Sequence, residues 1–149
     1  MEKQEVIDLA KSYAAAGFLC SESVLRAISN ALGVQCKLIP KIATGFGAGI
    51  GGQGMVCGAV SGGVMALGIH FSRNEVKNEE KRVYWFALKL LNRFKKEHSH
   101  LTCRELTGCD FNTEEGYTKY QAESMWDTKC RKYIATSASL AFDLIQEKT

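Results

Sequence analysis

Several things are scarce or missing in this 149-residue chain: it has one proline, no Cys-x-x-Cys pair and no sustained alternation of apolar and polar residues. Without alternation there are no half-buried strands to pair, which leaves helices as the way to bury apolar surface. Without Cys-x-x-Cys, any reactive pair of thiols has to be assembled by folding. Charge of one sign is also lacking. Nineteen Lys and Arg against sixteen Asp and Glu leave a net +3, a surplus too small and too dispersed to point to a nucleic-acid partner. The opening MEKQEVIDLAKSY is charged and amphipathic, without the apolar core of a secretory signal, so the chain is expected to remain in the cytoplasm. Six cysteines in a reducing compartment are then expected to serve packing, redox chemistry or metal binding rather than a permanent disulfide framework.

No Asp, Glu, Lys or Arg occurs between Lys41 and Arg73. That interval is longer than a bilayer span, but Gly51, Gly52, Gln53 and Gly54 interrupt it and leave Met55 to Phe71 as a buried core helix, so no membrane insertion is expected. Elsewhere the apolar residues recur at helical spacing. Val6, Leu9, Ala10 and Tyr13 define one face; Val24, Ile28, Ala31 and Leu32 define another, ending at Gly33. A long stripe through Val83, Phe86, Ala87, Leu90, Leu91 and Phe94 predicts a helix from Asn74 to about Glu97, with Ser72 and Glu75 as its capping box. Cys130 to Gln146 carries Ile134, Ala138, Ala141 and Ile145 on one side. Residues 108–120 read as a surface connection. The expectation is one all-α domain over residues 1–149, a compact helical bundle with a Gly-rich loop leading into a buried helix.

That loop is the most unusual segment. GFGAGIGGQGMVCGAVSGG, residues 45–63, holds nine of the fourteen glycines and sets Cys57 among them. Glycine lets backbone approach another group closely and adopt positive φ, so the loop can aim several N–H groups at the Cys57 sulfur or at a cluster held there. Gly58 and Gly62, one turn apart, also suit close helix packing. The Gly-x-Gly-x-Gly pattern is a weak match to a phosphate loop, since no strand precedes it and no Lys-Ser/Thr pair follows.

Four cysteines sit where helices are expected to start. Cys20 opens the second helix and Cys57 follows the glycine run. Cys103 follows Thr102, which with Glu105 forms a capping box, and Cys130 follows the cap residues Asp127 and Thr128. Free N–H groups and the helix dipole lower a thiol's pKa at such positions, so depressed pKa values are expected.

With CSESVL around Cys20, GFGAGIGGQGMVCGAVSG around Cys57, CRELTG from Cys103 and KCRKYI around Cys130, the chain resembles a redox-active family with four cysteines and a Cys-Gly-Ala-x-x-Gly motif, over roughly residues 5 to 146. The resemblance implies a small, mostly helical bacterial or archaeal protein, often encoded near transporters, and so a link to a transporter system. It carries over Cys20, Cys57, Cys103 and Cys130 as redox or metal-ligating residues and Gly58, Ala59 and Gly62 around them. Arg131 departs from the proline that relatives often have there. Cys36 and Cys109 fall outside the pattern and are read as packing or incidental thiols.

Three chemistries remain open for four such thiols. Four thiolates match the ligand count of an iron–sulfur cluster for electron transfer or sensing, although intervals of 36, 45 and 26 residues match no compact ferredoxin motif. A metal-free thiol–disulfide oxidoreductase would use Cys57 as the attacking thiolate and a neighbour to resolve the mixed disulfide. A closed zinc site would be structural. His98, His100 and Cys103 have a spacing that can supply zinc ligands, but in the charged exit of a helix they read more readily as a solvated turn. The basic residues Lys77, Lys81, Arg82, Lys89, Arg93, Lys95 and Lys96 read as the wet face of a helix. No hydrolase constellation is present, and the redox partner is not legible.

Overall fold

A computed structural model describes residues 1–77 and 82–147. Its helices are α1 (Lys3–Ala15), α2 (Cys20–Ala31), α3 (Gly58–Phe71), α4 (Trp85–His98), α5 (Cys103–Thr107), α6 (Glu114–Ala122) and α7 (Arg131–Gln146). A 3-10 segment at Lys41–Phe46 and a π-turn at Trp126–Cys130 complete the helical parts. Among the described residues the only extended pairing is a single antiparallel bridge between Val56 and Thr102. The protein is all-α.

Helix α3 lies at the centre because it is apolar on every side. Ala59, Val60, Ala66 and Leu67 are fully buried, and α2, α4 and α7 pack around it. Each surrounding helix turns one stripe inward: Val24, Leu25 and Ile28 from α2, Leu90 and Phe94 from α4, Ile134, Ala138 and Ala141 from α7. Helix α1 adds Val6 and Ala10 against α2 and α7. No described helix is long and apolar enough to cross a membrane.

Buried hydroxyls fix the relative height of these helices. The Ser137 hydroxyl donates to the Ala59 carbonyl at 2.6 Å, joining α7 to the start of α3. The Ser21 hydroxyl donates to the Ala43 carbonyl at 2.7 Å, joining α2 to the 3-10 segment. Each bond satisfies a polar group away from water, where leaving it unpaired is costly. At the rim, the Glu22 carboxylate accepts the Leu19 N–H at 2.9 Å and the Thr44 hydroxyl at 2.7 Å.

The fourth helix differs from expectation. It starts at Trp85 rather than near Asn74, and Ser72, expected in a capping box, instead follows the last turn of α3 and donates its N–H to Gly68. Ser72 therefore terminates one helix instead of beginning another. Residues 78–81, including Lys81, lie outside the described residues. Further along, Lys89 and Arg93 face Glu147, the latter at 2.6 Å, and so form the wet face expected of them.

Candidate functional site

The Gly-rich segment is a left-handed turn. Ala48, Gly49, Ile50, Gly51 and Gly52 all have positive φ, from 52° to 76°, and the N–H groups of Gly54 and Met55 bond back to the carbonyls of Ala48 and Gly49. Gly49 is required here: a Cβ would lie 2.5 Å from the Met55 nitrogen and 2.7 Å from the Gly54 carbonyl carbon. Ala48 and Ile50 adopt the same conformation without being glycine, at about 1–2 kcal/mol each. Ile50 is exposed and β-branched, so Ile50→Gly is expected to stabilise the protein by about 0.5–1 kcal/mol, the released strain exceeding glycine's entropic cost. A rise in the denaturant midpoint with unchanged slope checks this; a fall shows that the left-handed turn stores no strain there.

The turn runs directly into the bridge that joins two of the cysteine segments. The Cys57 N–H donates to the Leu101 carbonyl at 2.8 Å, and the Cys103 N–H donates to the Met55 carbonyl at 2.7 Å. This pairing brings Cys57, at the start of α3, beside Cys103, at the start of α5, despite the 45 residues between them. The Thr102 hydroxyl accepts the Glu105 N–H at 3.2 Å, the cap expected from the sequence.

Cys20, Cys57, Cys103 and Cys130 all line one cavity of about 320 Å³. Five aromatic side chains, Phe111, Tyr117, Tyr120, Trp126 and Tyr133, share the remaining wall with small and aliphatic residues. Cys57 and Cys103 are buried at 6% and 8% exposure, while Cys20 and Cys130 are partly exposed. All six cysteines are free thiols. Cys36 is exposed and lies away from this cavity; Cys109 is buried and packs its sulfur 3.7 Å from that of Met125. Neither contributes to the four-thiol wall.

The thiol pKa values move opposite to expectation. Burial pushes Cys20 and Cys57 up, Cys103 up to about 12 and Cys130 up to about 11. Backbone amides do act in the expected direction: the N–H groups of Ala59 and Val60, at the start of α3, favour the Cys57 thiolate, and those of Ser21, Ala59 and Ala48, the last in the glycine turn, favour the Cys20 thiolate. Desolvation outweighs them because an apolar wall replaces the water that would solvate the sulfur. Mutual repulsion adds to the rise, since ionised Cys20 and Cys103 both disfavour a charge on Cys57. The cavity thus holds protonated thiols at neutral pH.

Two expectations about position are also corrected. The glycine turn supplies an N–H, from Ala48, to Cys20 rather than to Cys57, whose donors come from its own helix. Cys130 does not sit at a free helix start, because the π-turn runs without a break into α7 and Cys130 has ordinary right-handed backbone angles. Thr128 accordingly donates its hydroxyl to Ser124 instead of capping α7, and Asp127 pairs with Arg131 at 3.0 Å. What Cys130 has is the Tyr120 hydroxyl 3.2 Å from its sulfur.

Gly58 lines the cavity, and a Cβ on it would fall on the Cys20 sulfur. Ala59 contributes its amide to two sulfurs. Gly62 is turned toward α2, where a Cβ would strike the backbone oxygen of Ser21. Residues 108–120, expected as a surface connection, supply most of α6 and three aromatic side chains of the cavity wall. The signal was present in Thr113, whose hydroxyl accepts the Gly116 N–H at 3.0 Å, followed by the acidic first turn Glu114 and Glu115.

The chemistry of the donors suits a soft metal, because four thiolates are ordinary ligands of iron–sulfur clusters and zinc. Their arrangement does not: among the described residues, no three His, Cys, Asp or Glu side chains are grouped to hold a metal ion. His98 is engaged with Thr136 at 2.9 Å and with the rings of Phe94 and Tyr133, and His100 faces Glu105 at 3.1 Å. Neither lines the cavity.

Fold and cavity together define a small helical protein with four thiols on one apolar pocket. The chain belongs to the C_GCAxxG_C_C family, whose description is "putative redox-active protein" and whose sequence profile matches residues 18–144. No curated protein and no solved structure shows significant similarity to the chain.

Proposed function

We propose that this redox-active protein works by thiol–disulfide interchange among Cys20, Cys57, Cys103 and Cys130, with no resident metal. The observation that carries the reading is that four free cysteines from four separate parts of the chain open onto one cavity, while the other two do not. Thiols that share a pocket can pass a disulfide between them after local movement, whereas the same donors are not grouped as ligands. Burial suits this use, because a protonated thiol in an apolar pocket resists adventitious oxidation until a reaction partner enters.

Anaerobic purification followed by iron, zinc and sulfide analysis and thiol counting tests the reading. Reduced protein unfolded in denaturant is expected to titrate six thiols. Mild oxidation is expected to remove thiols in pairs, with the losses mapping to the cavity cysteines by peptide mass analysis. Stoichiometric iron with sulfide would instead establish a cluster, and stoichiometric zinc a structural site. Cys36→Ser is expected to leave the pairwise loss intact, since Cys36 is exposed elsewhere.

A further inference from the structure

The cavity wall bears on what reacts there. Beside the four cysteines it carries five aromatic side chains, and among the described residues no Asp, Glu, Lys or Arg lines it. A charged group entering this space would lose its water and gain no opposite charge, which is costly; a flat, apolar molecule would exchange water for aromatic surface. At about 320 Å³ the cavity is at the small end of ligand pockets. Tyr117, 53% exposed, and Leu19, 37% exposed, stand where the wall meets solvent.

The four thiols differ in access. Cys57 and Cys103 are buried. Cys20 is partly exposed, but its sulfur is pressed against Gly58, as the overlap of a Cβ there shows. Cys130 is partly exposed, and the Tyr120 hydroxyl at 3.2 Å is placed to donate to its sulfur once that sulfur has lost its proton.

Resting on the thiol–disulfide reading above, we propose that the cavity takes a small, uncharged organic disulfide and that Cys130 is the thiol that attacks it. The Cys130 sulfur bonds to one sulfur of the substrate, the substrate S–S bond breaks, and the leaving thiolate takes up the proton released by Cys130. A second cavity thiol then attacks the Cys130 sulfur, its proton passing to the second leaving thiolate. One disulfide has become two thiols, and two cysteines have become one disulfide; a soluble dithiol returns the two electrons. Assigning attack to Cys130 replaces the sequence-based expectation of Cys57, which lies deeper in the wall.

Stopped-flow reaction of reduced Cys36→Ser protein with two chromogenic disulfides tests the proposal: a neutral dithiodipyridine and the dianionic dithiobisnitrobenzoate. Each rate is divided by that of a free small thiol with the same reagent. The neutral reagent is expected to be favoured by at least about tenfold in this ratio. With less than one equivalent of it, the first adduct is expected on Cys130 in rapid-quench peptide mapping, followed by an internal disulfide. Equal ratios for the two reagents, or a first adduct on Cys20, Cys57 or Cys103, would overturn the proposal while internal disulfide formation upheld the general reading. Adducts that never resolve into an internal disulfide with either reagent would overturn both. Mapping on the Cys36→Ser protein avoids dependence on a cavity variant that fails to fold.

Discussion

Gly62→Ala is expected to lower stability by about 3 kcal/mol, the upper part of the range for overpacking a tight contact. The new methyl would meet the Ser21 backbone, with its carbonyl carbon and Cα both 3.1 Å away, and backbone on two packed helices cannot yield as a side chain can. Gly58→Ala presents a different obstacle. Its methyl meets the Cys20 sulfur first, then the Phe46 carbonyl at 3.1 Å and the Ser21 nitrogen at 3.3 Å. A sulfur can rotate away, so a loss of about 1–2 kcal/mol is expected, together with a change in thiol reactivity that Gly62→Ala does not show in the folded fraction. Gly33→Ala is the reference: its φ is +70° with nothing within 4 Å, so only the backbone cost of about 1–2 kcal/mol remains. Denaturant titration and thiol kinetics on all three variants decide the matter. If Gly58→Ala alters stability alone, the contact with Cys20 has no bearing on reactivity.

Raising the pH is expected to destabilise the protein sharply from about pH 8.5, where thiols of an unfolded chain begin to ionise. The folded protein keeps its protons longer, with Cys130 pushed up to about 11 and Cys103 to about 12 by burial, and Cys20 and Cys57 also raised. In that window the unfolded state binds fewer protons than the native state, so stability falls as pH rises. The contribution is complete below the unfolded pKa and is lost on the way to the folded values. Each fully shifted thiol contributes at most about 1.4 kcal/mol per pH unit. Denaturant midpoints measured from pH 7 to pH 10 should therefore decline, and Cys130→Ala should decline less steeply. A flat profile, or one unchanged by Cys130→Ala, would mean that water reaches the sulfurs and that their burial does not control ionisation.

Much of this protein was determined by its sequence alone. The stripes through Val24 and Ile28, through Leu90 and Phe94 and through Ile134, Ala138 and Ala141 face the core as their spacing requires, since a helix places residues three and four apart on one side. The uncharged, largely apolar run from Met55 to Phe71 likewise announced the central helix, which begins three residues later at Gly58, and Thr102 with Glu105 marked the start of α5. Separation of Cys36 and Cys109 from the other four followed from the resemblance to the four-cysteine family. What local pattern does not encode is which segments meet. The bridge of Val56 to Thr102, the meeting of the Tyr120 hydroxyl with Cys130 and the aromatic wall from residues 108–120 depend on contacts between distant segments. The sign of the thiol shifts depended on them too. A helix start is a local feature and favours a thiolate, but burial is set by everything packed around the sulfur, and in this cavity the lost hydration exceeds what a few amides restore. Gly58 and Gly62 divide along the same line: sequence placed them one turn apart, and only the packing of α3 on α2 set one against a sulfur and the other against backbone.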